Sequence, residues 1–273
     1  MDPASALAYA AAPALPGVRS RFVDNVNGLT VHVLEAGTPG RPTVLLLHGF
    51  PELAYSWRHQ MTALAAAGWH VLAPDQRGYG RTTGWDGRYD TDLAPYRLFN
   101  LAKDALALVR ALGLSEVAAV VGHDFGSFVA PYCALARPDV FRAVAMMSAP
   151  FPGPPSLGAP GRPDPTAALA TLDPPRQHYQ WYFSSRRADH DMHHPAMGLP
   201  AFLRAYYHVK SADWAGNRPA PLASAGAEDL ARLPAYYVMP FAASMPAAVA
   251  PDAPTQAEAA TCRWLTGAEL DVY

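Results

Sequence analysis

The chain has 273 residues, of which 51% are hydrophobic and 16% are charged, so its composition is that of a folded globular protein. This length suits one large domain, or one domain that carries an insertion. A formal net charge of −2 gives no basic footprint, which argues against a protein that binds nucleic acid or an anionic membrane surface.

The cysteine content and the N-terminus indicate a reduced, cytoplasmic protein. The two cysteines, Cys133 and Cys262, are too few for a disulfide scaffold and lack zinc-ligand spacing. No apolar run is long enough to span a bilayer. The first 17 residues contain an apolar stretch, but no Lys or Arg precedes Arg19, so they make a poor signal peptide. We expect no membrane association, metal or cofactor.

Residues 1–150 alternate between strand patterns and helix patterns. Continuous apolar runs indicate strands that are buried on both faces, and the intervening segments have helical spacing and end at Gly or Pro. Such alternation predicts a mostly parallel sheet flanked by helices on both faces. The predicted strands are 21–24, 29–34, 43–47, 70–74, 117–121 and 141–148, and the predicted helices are 56–67, 99–112 and 127–137.

The pattern changes after residue 150, so we predict a second region at 151–273. It opens with a proline-rich linker and continues with helical segments near 176–186, 199–213, 225–233 and 255–273, without a convincing strand. This predicts a helical lid inserted over the sheet. The chain ends in helical register without a stop signal, so we expect that it is cut short and that the last sheet strands are missing.

The central chemical motif is Gly122-His123-Asp124-Phe125-Gly126, between a predicted strand and a predicted helix. Two glycines flanking a residue at a sharp strand–helix turn are typical of a nucleophile elbow. A carboxylate at that position suits attack on an sp³ carbon that carries a leaving group or belongs to a strained ring, and the product is an ester. The alternative is that Asp124 only caps the helix.

A second motif, His48-Gly49-Phe50-Pro51-Glu52, follows the predicted strand 43–47. In nucleophile-elbow enzymes this loop supplies one oxyanion-hole N–H, and the residue after the nucleophile supplies the other. We therefore assign the backbone N–H groups of Phe50 and Phe125 to an oxyanion hole. A proline after an aromatic residue is also a credible cis bond. The alternative is a plain Gly-Pro turn.

These motifs, together with Asp-Gln-Arg-Gly-Tyr-Gly at 75–80, resemble the α/β-hydrolase superfamily and, within it, the epoxide hydrolases. The resemblance extends from Arg21 onward. It implies the α/β-hydrolase fold with a helical lid. It also implies that Asp124 opens a small apolar epoxide through an Asp-alkyl ester, which water then hydrolyses to a diol.

The resemblance further implies that Tyr179, in the lid segment 177–183, protonates the epoxide oxygen. Tyr182 and Phe183 lie three and four residues further on, and this spacing suits a pocket wall. The alternative is an aromatic stripe that packs the lid, which is favoured for Trp181 and open for Tyr182. The predicted substrate contacts are Phe50, Phe125, Phe128, Gln180, Tyr182 and Phe183.

The hydrolytic half of such a site is not recognisable in this sequence. The resemblance places an acid after the seventh strand and a His base after the eighth, so we expect both beyond Tyr273. None of the ten histidines follows the lid. The motif histidines His48 and His123 are expected to be structural.

Two other functions stay open. A haloalkane or haloacid dehalogenase would share the Asp nucleophile, but Phe50 and Phe125 provide neither a side-chain N–H for halide nor an arginine for a carboxylate. The chain could also be a non-catalytic fragment that binds apolar ligands. A zinc site has no matching spacing, so a solvated lid turn is preferred for His190, Asp191, His193 and His194. The oligomeric state is not predicted.

Overall fold

The computed structural model describes residues 15–154 and 165–273. They form two compact units: residues 15–154 together with Val272 and Tyr273, and residues 165–271. Val272, which the sequence analysis assigned to the second region, is buried in an apolar cluster of the first unit. The N-terminal apolar stretch and most of the proline-rich linker lie outside the described residues.

A six-stranded sheet forms the centre of the first unit. Its order is β1-β2-β4-β3-β5-β6, and the pairs β4–β3, β3–β5 and β5–β6 are parallel, whereas β1–β2 and β2–β4 are antiparallel. The predicted mostly parallel sheet is confirmed. The strands are β1 Val18–Val26, β2 Leu29–Ala36, β3 Thr43–Leu47, β4 His70–Pro74, β5 Ala119–His123 and β6 Val144–Met147.

Helices cover both faces of this sheet, as predicted. They are α1 Arg58–Ala66, preceded by a short 3₁₀ turn, α2 Leu98–Ala111 and α3 Gly126–Ala136. Along β3, Leu45 and Leu47 belong to the apolar cluster that contains residues of α2 and α3. The alternate residues Val44 and Leu46 belong to the cluster that contains Met61 of α1. This alternation explains why β3 reads as one continuous apolar run.

The strand β6 lies at one edge of the sheet and pairs only with β5 among the described residues. All four of its residues are exposed: Val144 by 40%, Met146 by 44% and Met147 by 45% of their surfaces, with Ala145 exposed as well. The predicted strand 141–148 is longer than β6, because Phe141 makes only an isolated bridge to Val117.

The second unit is mostly helical, as predicted, but it also contains a two-stranded antiparallel sheet that the sequence did not predict. Two helical predictions are wrong in detail. The segment 176–186 begins with a strand, and 255–273 contains two separate helices, each with its own capping box. The elements are α4 Pro165–Ala170, β7 Arg176–His178, α5 Tyr179–Phe183, α6 Arg186–His193, α7 Leu199–Val209, α8 Ala227–Leu230, β8 Val238–Pro240, α9 Met245–Val249, α10 Gln256–Thr261 and α11 Gly267–Leu270.

Within residues 15–154 and 165–273, no helix combines the length and the apolar character needed to cross a bilayer.

Candidate active site

Asp124 occupies a strained turn between β5 and α3. Its φ is +50°, a conformation that residues other than glycine rarely adopt. The flanking glycines are required for space: a Cβ at Gly122 would lie 2.1 Å from the Gly126 carbonyl oxygen, and one at Gly126 would lie 2.2 Å from the Leu47 carbonyl oxygen. The strand–turn–helix context on which the elbow prediction depends is present in the structure.

The loop 48–52 lies directly against Asp124. The Phe50 N–H donates a hydrogen bond to Asp124 Oδ1 at 3.1 Å. A Cβ at Gly49 would lie 2.5 Å from Asp124 Cβ, so only glycine allows this approach. The Phe50–Pro51 peptide bond is cis, as the sequence predicted. Phe125, the other predicted donor, has helical dihedral angles directly before α3, so its N–H belongs to the helix N-terminus.

Glu52 fastens this loop to the strand that carries Asp124. Its Oε2 accepts hydrogen bonds from the Gly49 N–H at 3.1 Å and from His123 Nδ1 at 3.0 Å. Burial alone would raise the pKa of Glu52, but the His123 and Gly49 hydrogen bonds and the His123 charge hold that pKa below its ordinary value. The sequence analysis missed this pair because the two residues are 71 positions apart.

His48 joins the same loop to the loop that follows β4. Its Nε2 accepts the Gln76 N–H at 3.0 Å, and Gln76 Nε2 donates to the His48 carbonyl oxygen at 2.6 Å. His48 Nδ1 donates in turn to the Gly49 carbonyl oxygen at 2.8 Å. Burial lowers the pKa of His48, which keeps the ring neutral. Because both ring nitrogens are engaged, His48 is a structural residue and no general base.

Asp75, the first residue of the third motif, is also structural. Its carboxylate accepts hydrogen bonds from His32 Nδ1 at 2.7 Å, from the Ala54 N–H at 2.8 Å and from the Arg81 N–H at 3.0 Å. A Cβ at Gly80 would lie 2.4 Å from Asp75 Oδ2, so this glycine makes room for the carboxylate.

Two further buried histidines of the first unit are engaged at both ring nitrogens. His32 contacts Asp75 and also Ser20 Oγ at 2.8 Å. His70 contacts Thr43 Oγ1 at 3.0 Å and Glu35 Oε1 at 2.7 Å. Neither ring has a free nitrogen with which to deprotonate water.

The ring of Tyr79, a residue that the sequence analysis did not single out, lies beside His48 and Phe50. Its ring centroid lies 4.8 Å from that of His48 and 6.5 Å from that of Phe50. Burial and the nearby charges of Asp124 and Glu52 raise the pKa of the Tyr79 phenol, so it stays protonated.

In the second unit, the half-buried Tyr179 is surrounded by other aromatic rings. Its ring centroid lies 4.7 Å from that of His178, 5.6 Å from that of Phe183 and 5.4 Å from that of Tyr237. Gln180 Nε2 donates to the Tyr179 hydroxyl at 3.3 Å. These contacts restrict the orientation of the phenol.

Two neighbouring aromatic residues of the second unit differ in their exposure. Tyr182 is only 1% exposed and donates to Asp191 Oδ2 at 3.1 Å. Burial raises its pKa to about 12. It also belongs to the apolar core of the second unit. Trp181, in contrast, is 55% exposed. The substrate contacts assigned to Phe50, Phe125, Phe128, Gln180, Tyr182 and Phe183 remain predictions.

The histidine-rich turn of α6 shows only pairwise contacts. His193 Nδ1 lies 3.1 Å from Asp189 Oδ1, and the rings of His190 and His194 are 5.0 Å apart. Over the two described ranges, no three or more His, Cys, Asp or Glu side chains are grouped so that they could hold a metal ion.

Comparison with known proteins agrees with this geometry. The sequence profile of the alpha/beta hydrolase fold matches residues 42–226. Epoxide hydrolase A of Mycobacterium tuberculosis is 48% identical over 130 residues, which are 48% of this chain and 38% of that protein. Epoxide hydrolase B of the same organism is 41% identical over 167 residues, which are 59% of this chain and 45% of that protein.

Solved structures give the same result. The structure of epoxide hydrolase A from Mycobacterium thermoresistibile is 32% identical and matches with a TM-score of 0.66, over 93% of this chain and 68% of that one. An epoxide hydrolase from an endophytic Streptomyces is 36% identical, with a TM-score of 0.68, over 94% of this chain and 66% of that one. The chain belongs to the α/β-hydrolase fold family. Within that family its similarity is to epoxide hydrolases, although it spans less than half the length of the curated relatives described above.

Proposed function

We propose that this chain opens an apolar epoxide through a covalent ester on Asp124. One carboxylate oxygen attacks a ring carbon, the ring C–O bond breaks, and its electron pair passes to the epoxide oxygen. The Tyr179 phenol gives its proton to that oxygen, and solvent later reprotonates the phenolate. The product is a hydroxyalkyl ester of Asp124. The strained elbow that presents Asp124 to the Phe50 N–H is the observation that carries this proposal.

The second half-reaction would be attack of water on the carbonyl carbon of the ester. The N–H groups of Phe50 and Phe125 would stabilise the resulting oxyanion, and each such donor is typically worth about 3 kcal/mol. Collapse of this intermediate releases the diol and regenerates the Asp124 carboxylate. A positioned base accelerates the water attack by about 10²–10⁴-fold, and the ring nitrogens of His32, His48 and His70 are already engaged.

The residues around Asp124 favour an epoxide over a haloalkane. Phe50 and Phe125 carry no side-chain donor that could bind a departing halide. The proposed substrate is therefore a small apolar epoxide, with water as the second reactant and no cofactor.

The test is covalent labelling with styrene oxide, followed by intact-mass measurement and peptide mapping. We expect one adduct per chain, located on Asp124. The variant D124N should give no adduct, and Y179F should react at least about tenfold more slowly because it lacks the proton donor. D90N, which removes an exposed carboxylate of the same unit, should label normally. Adduct formation by D124N would show that another residue is the nucleophile, and rapid chloride release from 1-chlorohexane would favour a dehalogenase.

A further inference from the structure

Lys210, directly after α7, lies among three tyrosine rings of the second unit. Its Nζ is 4.8 Å from the ring centroid of Tyr206, 5.4 Å from that of Tyr236 and 5.6 Å from that of Tyr237. It also donates a hydrogen bond to the Tyr206 hydroxyl at 3.2 Å. An ammonium group within about 6 Å of a ring centroid is attracted to the face of that ring. We call these four residues the lysine cage.

The lysine cage contacts Tyr179 through Tyr237. The Tyr179 N–H donates to the Tyr237 carbonyl oxygen at 2.8 Å. The rings of the two tyrosines are 5.4 Å apart at an interplanar angle of 61°. Both residues flank the strand pair β7–β8, in which His178 lies opposite Val238. A single residue, Tyr237, therefore contacts both the Lys210 cation and the backbone and ring of Tyr179.

The choice of lysine at this position stands out in this sequence. Of 21 basic residues only two are lysines, Lys103 and Lys210, and the other 19 are arginines. Lys103 is exposed on α2. An ammonium is a compact charge that several rings can surround, whereas a guanidinium is planar and stacks on one face. Three tyrosine rings around one position therefore suit an ammonium group better than a guanidinium group.

We propose that Lys210 is a positioning residue for Tyr179, an inference that rests on the proposed function. The ammonium group fixes the rings of Tyr236 and Tyr237, and Tyr237 in turn holds the Tyr179 phenol in one orientation. Removal of the charge frees these rings, so Tyr179 spends less time in the geometry that protonates the epoxide oxygen. Lys210 itself does not touch the substrate.

The first test compares K210M, K210R and K103M in the full chain. The readout is the single-turnover rate of Asp124 labelling as a function of styrene oxide concentration. We expect K210M to lower the maximal rate about tenfold without changing the half-saturating concentration. K210R should recover only part of that rate, because it restores a cation but its planar group stacks on one ring face, and K103M should equal the wild type. An unchanged maximal rate in folded K210M would overturn the inference.

The second test does not depend on activity. Ring-labelled tyrosine allows NMR observation of the Tyr179 signal, which Y179F assigns by its loss. In K210M this signal should move toward the position of a freely rotating tyrosine, and in K103M it should stay. If the wild type forms no adduct, the proposed function fails, whereas the NMR result still decides whether Lys210 orients Tyr179.

If K210M does not fold, Y237L replaces it, because this change removes the connecting ring while Lys210 stays in place. Circular dichroism reports whether each variant is folded. Y237L should reproduce both the slower labelling and the moved Tyr179 signal. Wild-type values for Y237L in both measurements would also overturn the inference.

Discussion

The buried imidazole of His48 makes the stability of the first unit depend on pH. Burial holds the pKa of His48 below its ordinary value of 6.5, against the opposing charges of Asp75 and Glu52. Below pH 6.5 the unfolded chain therefore binds a proton at His48 that the folded chain does not bind. The free energy of unfolding should fall by up to about 1.4 kcal/mol per pH unit as the pH drops from 6.5 toward the pKa of the folded state.

Urea unfolding at pH 7.5, 6.5 and 5.5 measures this dependence. The free energy of unfolding of H48Q should be lower than that of the wild type at every pH, but it should decline less steeply below pH 6.5. H59Q removes an exposed histidine on α1 and serves as the matched control. Its free energy of unfolding should decline below pH 6.5 as steeply as that of the wild type. The explanation fails if H48Q and H59Q show the same slope.

Single residues differ in how far the sequence could predict them. Asp124 was recognisable because the required glycines lie two positions away on either side, within one local motif. The Glu52–His123 pair was not, because its partners meet only when β3 and β5 pair in the sheet. The surroundings of Tyr182 could not be predicted either, because helical spacing identifies a face but not what covers it. Its contacts with Asp191 and with the apolar core of the second unit come from distant positions of the chain.

At the level of elements, the exposed strand β6 is an aggregation hazard. It has an open edge among the described residues and exposes Val144 and Met146 to solvent. Open apolar edges pair with other chains, and natural proteins block such pairing with a charged residue, most often lysine. We expect V144K to raise the soluble fraction on expression and to delay light scattering on heating.

The control for this prediction is L135K, which places the same charge on an apolar residue of α3 that is even more exposed than Val144 and lies away from the strand edge. L135K should aggregate as the wild type does. If both variants improve solubility equally, the effect comes from net charge and not from the strand edge.

The elements that the sequence predicted best are those whose whole surface is buried. The strands β3 and β4 begin and end at the predicted residues, because a strand buried on both faces is a nearly continuous apolar run, and only the first residue of each, Thr43 and His70, is polar. The strands β7 and β8 were missed, since three residues are too few to show an alternating pattern and their pairing joins positions about 60 residues apart. The helix predicted at 255–273 is interrupted, because α10 ends at Thr261 and a second helix, α11, begins after its own cap at Thr266.

For the whole chain, we expect covalent labelling without efficient turnover. The labelling reaction needs Asp124, Tyr179 and the Phe50 N–H. Hydrolysis of the ester also needs a base, and the three buried histidines of the first unit are engaged in hydrogen bonds. With styrene oxide in excess, the adduct should approach one equivalent per chain, and the diol formed should stay well below one equivalent over the time in which labelling is complete.

Diol measured by chromatography, together with intact mass, checks this expectation. A persistent adduct with little diol would agree with it. Sustained production of many equivalents, abolished in D124N, would show that another group in the chain acts as the base. H123Q would then be the first variant to examine, because His123 precedes Asp124 and contacts Glu52.

The hairpin turn between β1 and β2 has a consequence for the chemical ageing of the protein. Asn27 adopts a positive φ before Gly28, and its side-chain amide donates to Asp104 Oδ1 at 2.6 Å, beside the ion pair of Arg77 with Asp104. An asparagine followed by glycine is especially prone to deamidation during storage. At this turn deamidation would replace a hydrogen-bond donor by a second carboxylate facing Asp104. Old preparations would thus carry a repulsive pair of acids where fresh protein has a hydrogen bond.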